Sequence, residues 1–359
     1  MKTSKKATTS SQDEEAPSIP HKEPTAGKTS RKTGQSSFKQ FLKVLGPGLI
    51  TGASDDDPAG IGTYTMAGAS LGYAPLWSAL ITFPLMTVIQ YLCAKVGMTS
   101  GRGLAGVLKN HYALWITYPV VFALLVANTI NLGADLGAVA AAINLFVPIP
   151  IPLLLVPVTL LLLALQIWGS YRLIAQIFRW LTLALFAYIA SVFFAHSDVR
   201  ALLIGTFFPT FRLDSSFIAI LVAIIGTTIS PYLFFWQSSQ EVEEEINHGE
   251  KTIRERKGAT KSELHFVSLD VITGMVISNL VMYCIILTAA ATLFHTGKHD
   301  VQTATDLAQT LRPLAGSFAT LLLAVGLIGS GCLAVPVLAG SAAYAISEAL
   351  GWKYGLEKR

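Results

Sequence analysis

Charge is scarce in this chain. Asp, Glu, Lys and Arg make up 13% of its 359 residues, 52% are hydrophobic, and the mean hydropathy is +0.54. So little charge cannot cover a soluble domain of this length. Apolar runs long enough for a hydrocarbon core of ~30 Å recur along most of the chain, which also excludes a soluble domain with one anchor. Cysteine is scarce too. Cys93, Cys284 and Cys332 lie in apolar segments without paired spacing, which argues against a disulfide framework or a zinc site and leaves small core residues. There is no glycine-rich phosphate loop and no nucleophile–base arrangement, so neither an enzyme nor an ATP-driven pump is expected, and no cofactor. Lys2, Lys5 and Lys6 precede polar residues instead of a short apolar region, so no signal peptide is expected. The net charge of +4 sits mainly in the tail and certain loops, where membrane orientation accounts for it, so nucleic acid is not an expected partner.

What is present reads as an all-α polytopic membrane protein in a lipid bilayer. Residues 1–37 are rich in Ser, Thr, Lys and Pro and are expected to form a disordered cytoplasmic tail. The remainder, 38–359, reads as one transmembrane domain with spans at about 47–70, 76–96, 113–146, 153–168, 173–194, 217–240, 266–294 and 314–346. The VPIPIP link between the third and fourth spans cannot be helical throughout. With the N-terminus placed in the cytoplasm, only Arg200, Arg212, Lys298 and Arg312 fall on the outer side. Most remaining Lys and Arg fall inside, which supports that orientation and an inner, plasma-membrane location.

The first span carries GASDDDPAGIG, 52–62, and Asp55, Asp56 and Asp57 are expensive there. One charged carboxylate at the centre of a membrane helix costs ~2.5–3.5 kcal/mol, so three require compensation, and a cation supplies it. Asp57-Pro58 is a helix-start signature, with Asp as N-cap and Pro at the first helical position. Inside a span it implies that one half-helix ends and another begins, leaving free carbonyls near Ser54. The sixth span repeats the device at Ser230-Pro231, with Thr227 in the position that Ser54 holds before Asp57. Spans five apart run in opposite directions, so the two breaks fit corresponding places in inverted repeats and point to a transporter site near the bilayer midplane. A simple proline kink is the alternative at each break, and it leaves the buried acids unexplained. Successive residues point different ways, so Asp57 is the first choice of ligand and Asp55 or Asp56 would line the aqueous approach.

These residues resemble the Nramp family of divalent-metal transporters, in which the first span holds GP and then DPGN, and the sixth holds an alanine, two residues, then Met-Pro-His. Here GPG at 46–48 precedes DPAG at 57–60, and TTISPY at 227–232 stands where the sixth-span motif belongs. Further similarity runs through LGADLGAVAAAINLF and LIGSGCLAVPVLAG, so the resemblance covers about 40–350. It implies a LeuT-like inverted-repeat fold and a metal site of Asp57, Ser54, Thr227 and Ser230 between the breaks marked by Pro58, Gly60 and Pro231. The family's Asn becomes Gly60, its thioether ligand becomes Ser230, and its sixth-span His becomes Tyr232. Of two third-span acids only Asp135 has a counterpart, the other position being Leu132. Hydroxyl, carboxylate and carbonyl oxygens suit Mg2+ better than softer metals. The likeness is therefore to the Nramp-related magnesium transporters, and it implies Mg2+ uptake without proton coupling. Proton-coupled Mn2+ or Fe2+ symport, a cation channel and an inactive remnant are the alternatives. Two sets of five spans are expected of that fold and eight are found, which reads as a C-terminal truncation.

Weaker signals remain. Asn131 and Asp135 lie four apart on one face of the third span and fit the ion pathway. Gln237 reads as an interhelical bond, with contact to hydrated metal as the alternative. Asn279 is balanced between the two roles. EVEEE at 241–245 reads as a solvated helix end, and His295 with His299 lacks enough convergent ligands for a metal site. Nothing in the pattern sets an oligomeric state.

Overall fold

The structure is a computed structural model that describes residues 46–168, 185–194, 197–295, 297 and 304–355. The expected tail and most of the fifth span lie outside the described residues. Those described form helices α1 (Pro47–Asp55), α2 (Pro58–Leu71), α3 (Ser78–Ser100), α4 (Leu104–His111), α5 (Leu114–Asn144), α6 (Ile151–Trp168) and α7 (Phe186–Ser191). They continue with α8 (Val199–Phe207), α9 (Ser215–Thr228), α10 (Pro231–Asn247), α11 (Ile253–Arg256), α12 (Lys261–Ala289) and α13 (Ala304–Leu350). Among the described residues, six helical stretches are long and apolar enough to cross a membrane, the pair α9–α10 counting as one. The first span is not among them because it is cut into halves of 9 and 14 residues.

Chain chemistry sets the ends. Thr260 opens α12 through a capping box, its hydroxyl accepting from the Glu263 amide at 3.2 Å while the Glu263 carboxylate accepts from the Thr260 amide at 2.8 Å. Asp214 opens α9 by accepting from the Phe217 amide at 2.8 Å. Between α5 and α6 the prolines of VPIPIP hold the chain out of helix until Ile151. The polar loop before the sixth span contains a helix that the hydropathy pattern does not show, α8, capped by Asp198 on the Arg200 amide at 2.9 Å.

The two broken spans cross in opposite senses. α9 packs on α2 and α10 packs on α1, so the first half of each touches the second half of the other. Tyr64 of α2 meets Thr228 of α9 at 3.1 Å, and the Thr51 hydroxyl of α1 donates to Gln237 of α10 at 2.5 Å. Against this pair lies α12, in very close approach. A Cβ on Gly52 would overlap the backbone of Gly274, and one on Gly274 would overlap the Gly48 carbonyl, so small residues let the helices touch backbone to backbone. Asp270 of α12 then ties down the start of α1, its carboxylate accepting from the Gly46 amide at 2.9 Å and the Gly48 amide at 2.7 Å.

One expectation is corrected. The acidic run 241–245 is not a solvated end, because α10 continues to Asn247 and α13 covers it. Glu241 and Glu243 are buried, the former accepting from the Gln237 amide group at 2.6 Å and the latter from the Tyr344 hydroxyl at 3.1 Å. A charge-poor helix face more than 100 positions away supplies that cover, and no local pattern signals it.

Candidate functional site

Asp57 sits in the break between α1 and α2 with extended backbone, and its Oδ1 accepts from the Gly60 amide at 2.6 Å. Proline at the next position removes an amide that would otherwise lack a partner. Gly60 matters by its size, since a Cβ there would fall 2.9 Å from Asp57 Oδ1 and 3.0 Å from the Thr227 hydroxyl. The other oxygen, Oδ2, accepts from Asn131 Nδ2 at 2.6 Å and more distantly from the Tyr232 hydroxyl at 3.5 Å. Every hydrogen-bond donor to this carboxylate is neutral. No Lys, Arg or His pairs with it among the described residues, so its charge is oriented and left uncancelled.

The second break has the same local form and different chemistry. Ser230 caps α10 in extended backbone, yet its side chain makes no capping bond. Its hydroxyl instead donates backwards to the Thr227 carbonyl at 2.5 Å and to the Gly226 carbonyl at 3.3 Å. The corresponding carbonyl of the first break, that of Ser54, accepts from the Tyr232 hydroxyl at 2.6 Å. A carbonyl oxygen has two lone pairs, so each can accept a second contact, although Thr227 lines the cavity beside Asp57 and Ser54 is fully buried and does not.

Asp57, Asn131, Thr227, Ser230 and Tyr232 line one cavity of about 610 Å³, together with Thr63 and Asn128 and an apolar wall that includes Leu124, Phe235 and Leu338. Among the described residues, no sulfur and no imidazole lines it. The chemistry available is therefore an anionic oxygen, an amide, hydroxyls and backbone carbonyls around a space large enough for an ion with several waters.

Over residues 48–359 the chain matches the family described as Natural resistance-associated macrophage protein-like, Nramp. This chain belongs to the Nramp family. It is similar to the divalent metal cation transporter MntH of Deinococcus radiodurans, 33% identical over 342 residues that cover 89% of this chain and 74% of that protein. It is also similar to MntH of Pectobacterium carotovorum, 29% identical over 305 residues that cover 83% and 70%. Among solved structures, the manganese transporter of Eremococcus coleocola aligns at a TM-score of 0.72 and 20% identity over 90% of this chain and 68% of that one. Mhp1, a nucleobase-cation-symport-1 family transporter, aligns at 0.60 and 13% over 87% and 68%. The fold is thus the all-α, LeuT-like inverted-repeat fold, and this Nramp protein is an integral membrane transporter of divalent metal ions, not an enzyme.

Other residues singled out in the Nramp-like pattern fall in several places. Asp55 and Asp56 are 1% and 0% exposed and do not line the cavity, which corrects the expectation that one of them flanks the aqueous approach. Helix α1 turns Asp55 toward α12, where it accepts from the Ser278 hydroxyl at 2.6 Å, while Asp56 has no hydrogen-bond partner among the described residues. Asp135 is fully buried behind Asn131, its Oδ1 accepting from the Ala59 amide at 3.0 Å and its Oδ2 without a partner. Gln237 lies outside the cavity in an interhelical network, accepting from Thr51 and, at 3.4 Å, from Gln90. Asn279 bonds Thr82 at 3.3 Å. Sequence reasoning missed Asn128 and Thr63 in the lining and the reach of Tyr232 across to Ser54. Asn128 lies three residues before Asn131, a spacing that places both on one helix face. Thr63 and Tyr232 carry no comparable local signal.

Proposed function

We propose that this transporter carries Mg2+ inward through the gap between the two breaks, with Asp57, the carbonyls of Ser54 and Thr227 and the Ser230 hydroxyl as its oxygen donors and without proton coupling. The observation that supports this reading is the donor set, because among the described residues the polar side chains on the cavity wall, from Asp57, Thr63, Asn128, Asn131, Thr227, Ser230 and Tyr232, carry oxygen and amide groups without sulfur or imidazole. Mg2+ dehydrates reluctantly and is held by one or two carboxylates plus waters, which matches one oriented carboxylate beside a space for solvent. Softer transition ions gain from thioether or imidazole ligands that are missing here. Residues 38–359 form the transport domain in this reading, 1–37 a cytoplasmic tail, and the protein sits in the plasma membrane with its N-terminus inside.

Proton-coupled Mn2+ or Fe2+ transport is the second reading. It is favoured by Asp135, a second buried acid one turn from the Asn131 that holds Asp57, and by the manganese transporter among its structural neighbours. Ion flux into liposomes containing the purified protein, with internal pH recorded, separates the two. Saturable Mg2+ uptake at constant internal pH is the expected result. Mn2+ uptake with internal acidification and no Mg2+ uptake overturns it, non-saturating flux indicates a channel, and absence of all flux indicates an inactive chain.

A further inference from the structure

Asn128 is buried, at 4% exposed, and stands on α5 three residues before Asn131, so the two share one helix face and both line the cavity. Its Nδ2 donates to the Leu338 carbonyl of α13 at 3.0 Å. A backbone carbonyl only accepts, so this bond decides which end of the amide is nitrogen and leaves the oxygen for the cavity. Among the described residues no group donates to that oxygen. Asn131 is oriented in the same way, its Nδ2 donating to Asp57 Oδ2 at 2.6 Å. The α5 wall around Asn128 is otherwise apolar, with Val120, Ala123, Leu124 and Ala127. An amide oxygen in such a wall is costly unless something in the cavity donates to it. A metal ion donates no hydrogen bond itself, but the waters it keeps do.

We propose that Asn128 sets specificity for the transported ion, its amide oxygen accepting a hydrogen bond from a water that the ion keeps while Asp57 holds it. The inference rests on the reading of Asp57 as the ion's carboxylate and not on which divalent ion it takes. A water bound at about 2.1 Å that donates over about 2.8 Å puts its acceptor roughly 5 Å from the ion. Neighbours one helical turn apart are separated by about 5–6 Å, so the spacing of Asn128 from Asn131, which touches the carboxylate, suits that contact. Such a bond through water is nearly as favourable as a direct one, and it is made only with an ion that keeps its water. Mg2+ dehydrates reluctantly, so it gains more from Asn128 than an ion that sheds its shell readily. The amide discriminates between ions without touching the metal.

The test is equilibrium binding of Mg2+ and of Mn2+ to the purified chain in detergent, for wild type, Asn128→Leu, Asn128→Asp and Asp57→Ala. Asn128→Leu keeps the bulk and removes the oxygen, and it is expected to weaken Mg2+ binding by about fivefold or more and Mn2+ binding by less. Asn128→Asp gives up the bond to Leu338 and keeps an oxygen in the cavity with added charge, so it is expected to lower the melting temperature and to tighten Mg2+ binding. If Asn128 only fastens α5 to α13, both variants lose melting temperature and neither changes the ratio of the two affinities, which would overturn the proposal. Equal losses for both ions in Asn128→Leu would overturn it too. Should Asn128→Leu not fold, Asn128→Asp decides, and Mg2+ binding no tighter than wild type is the contrary result. Binding lost in Asp57→Ala and unchanged in Asn128→Leu would strike this inference alone. Binding unchanged in Asp57→Ala, or absent in wild type, would strike the reading of Asp57 and this inference with it.

Discussion

At the first break the capping side chain is an acid whose two oxygens collect an amide and a carboxamide and still face the cavity; at the second it is a hydroxyl that spends its proton on the carbonyls behind it. Both breaks use a cap followed by proline, and both expose a carbonyl three residues earlier. The local device sets the backbone, and the capping side chain decides what the break can bind. Tyr232 joins the two by carrying a hydroxyl from the second break to the Ser54 carbonyl of the first. The site is therefore asymmetric, with charge contributed by one break and neutral oxygen by the other.

Removing the charge should have the largest effect. Asp57→Ala is expected to lower divalent flux by about 100-fold or more in liposomes, since losing a group that touches the ion exceeds the 10–100-fold usual for residues that only support one. Asn131→Ala comes next, because it orients Oδ2 and a hydrogen bond to a charged group contributes about 1.5–3 kcal/mol. A fall of about 10-fold or more in apparent metal affinity, with unchanged melting temperature, would place its role at the site and not in the fold. Tyr232→Phe removes the bond between the breaks, and a neutral hydrogen bond of ~1 kcal/mol predicts about a fivefold loss of affinity. Ser230→Ala should have the smallest effect, below about threefold, because it removes one neutral oxygen donor whose place a water in the cavity can take. If Ser230→Ala matched Asp57→Ala, the asymmetry between the breaks would be wrong.

How much of this was legible depends on whether the signal is local. Asp57-Pro58 and Ser230-Pro231 are local steric statements about caps and missing amides, and helices start at both prolines. Hydropathy is a local signal of the same kind, and α3 runs four residues past its expected end, to Ser100. The directions of Asp55, Asp56 and Asp57 were not readable. They depend on the rotation of α1 against α12, which the Gly48, Gly52 and Gly274 contact sets across more than 200 positions. The burial of Glu243 escaped for a like reason, since its partner Tyr344 lies on α13, 101 positions away.

Competitive binding of Mg2+ and Mn2+ to wild type and Ser230→Met tests the central claim most directly. If the second break contributes oxygen alone, Mg2+ competes with Mn2+ for the wild-type site, and a thioether at position 230 shifts preference toward Mn2+ by about tenfold. A wild type that already prefers Mn2+ by that margin, with Ser230→Met leaving the ratio unchanged, would contradict the account.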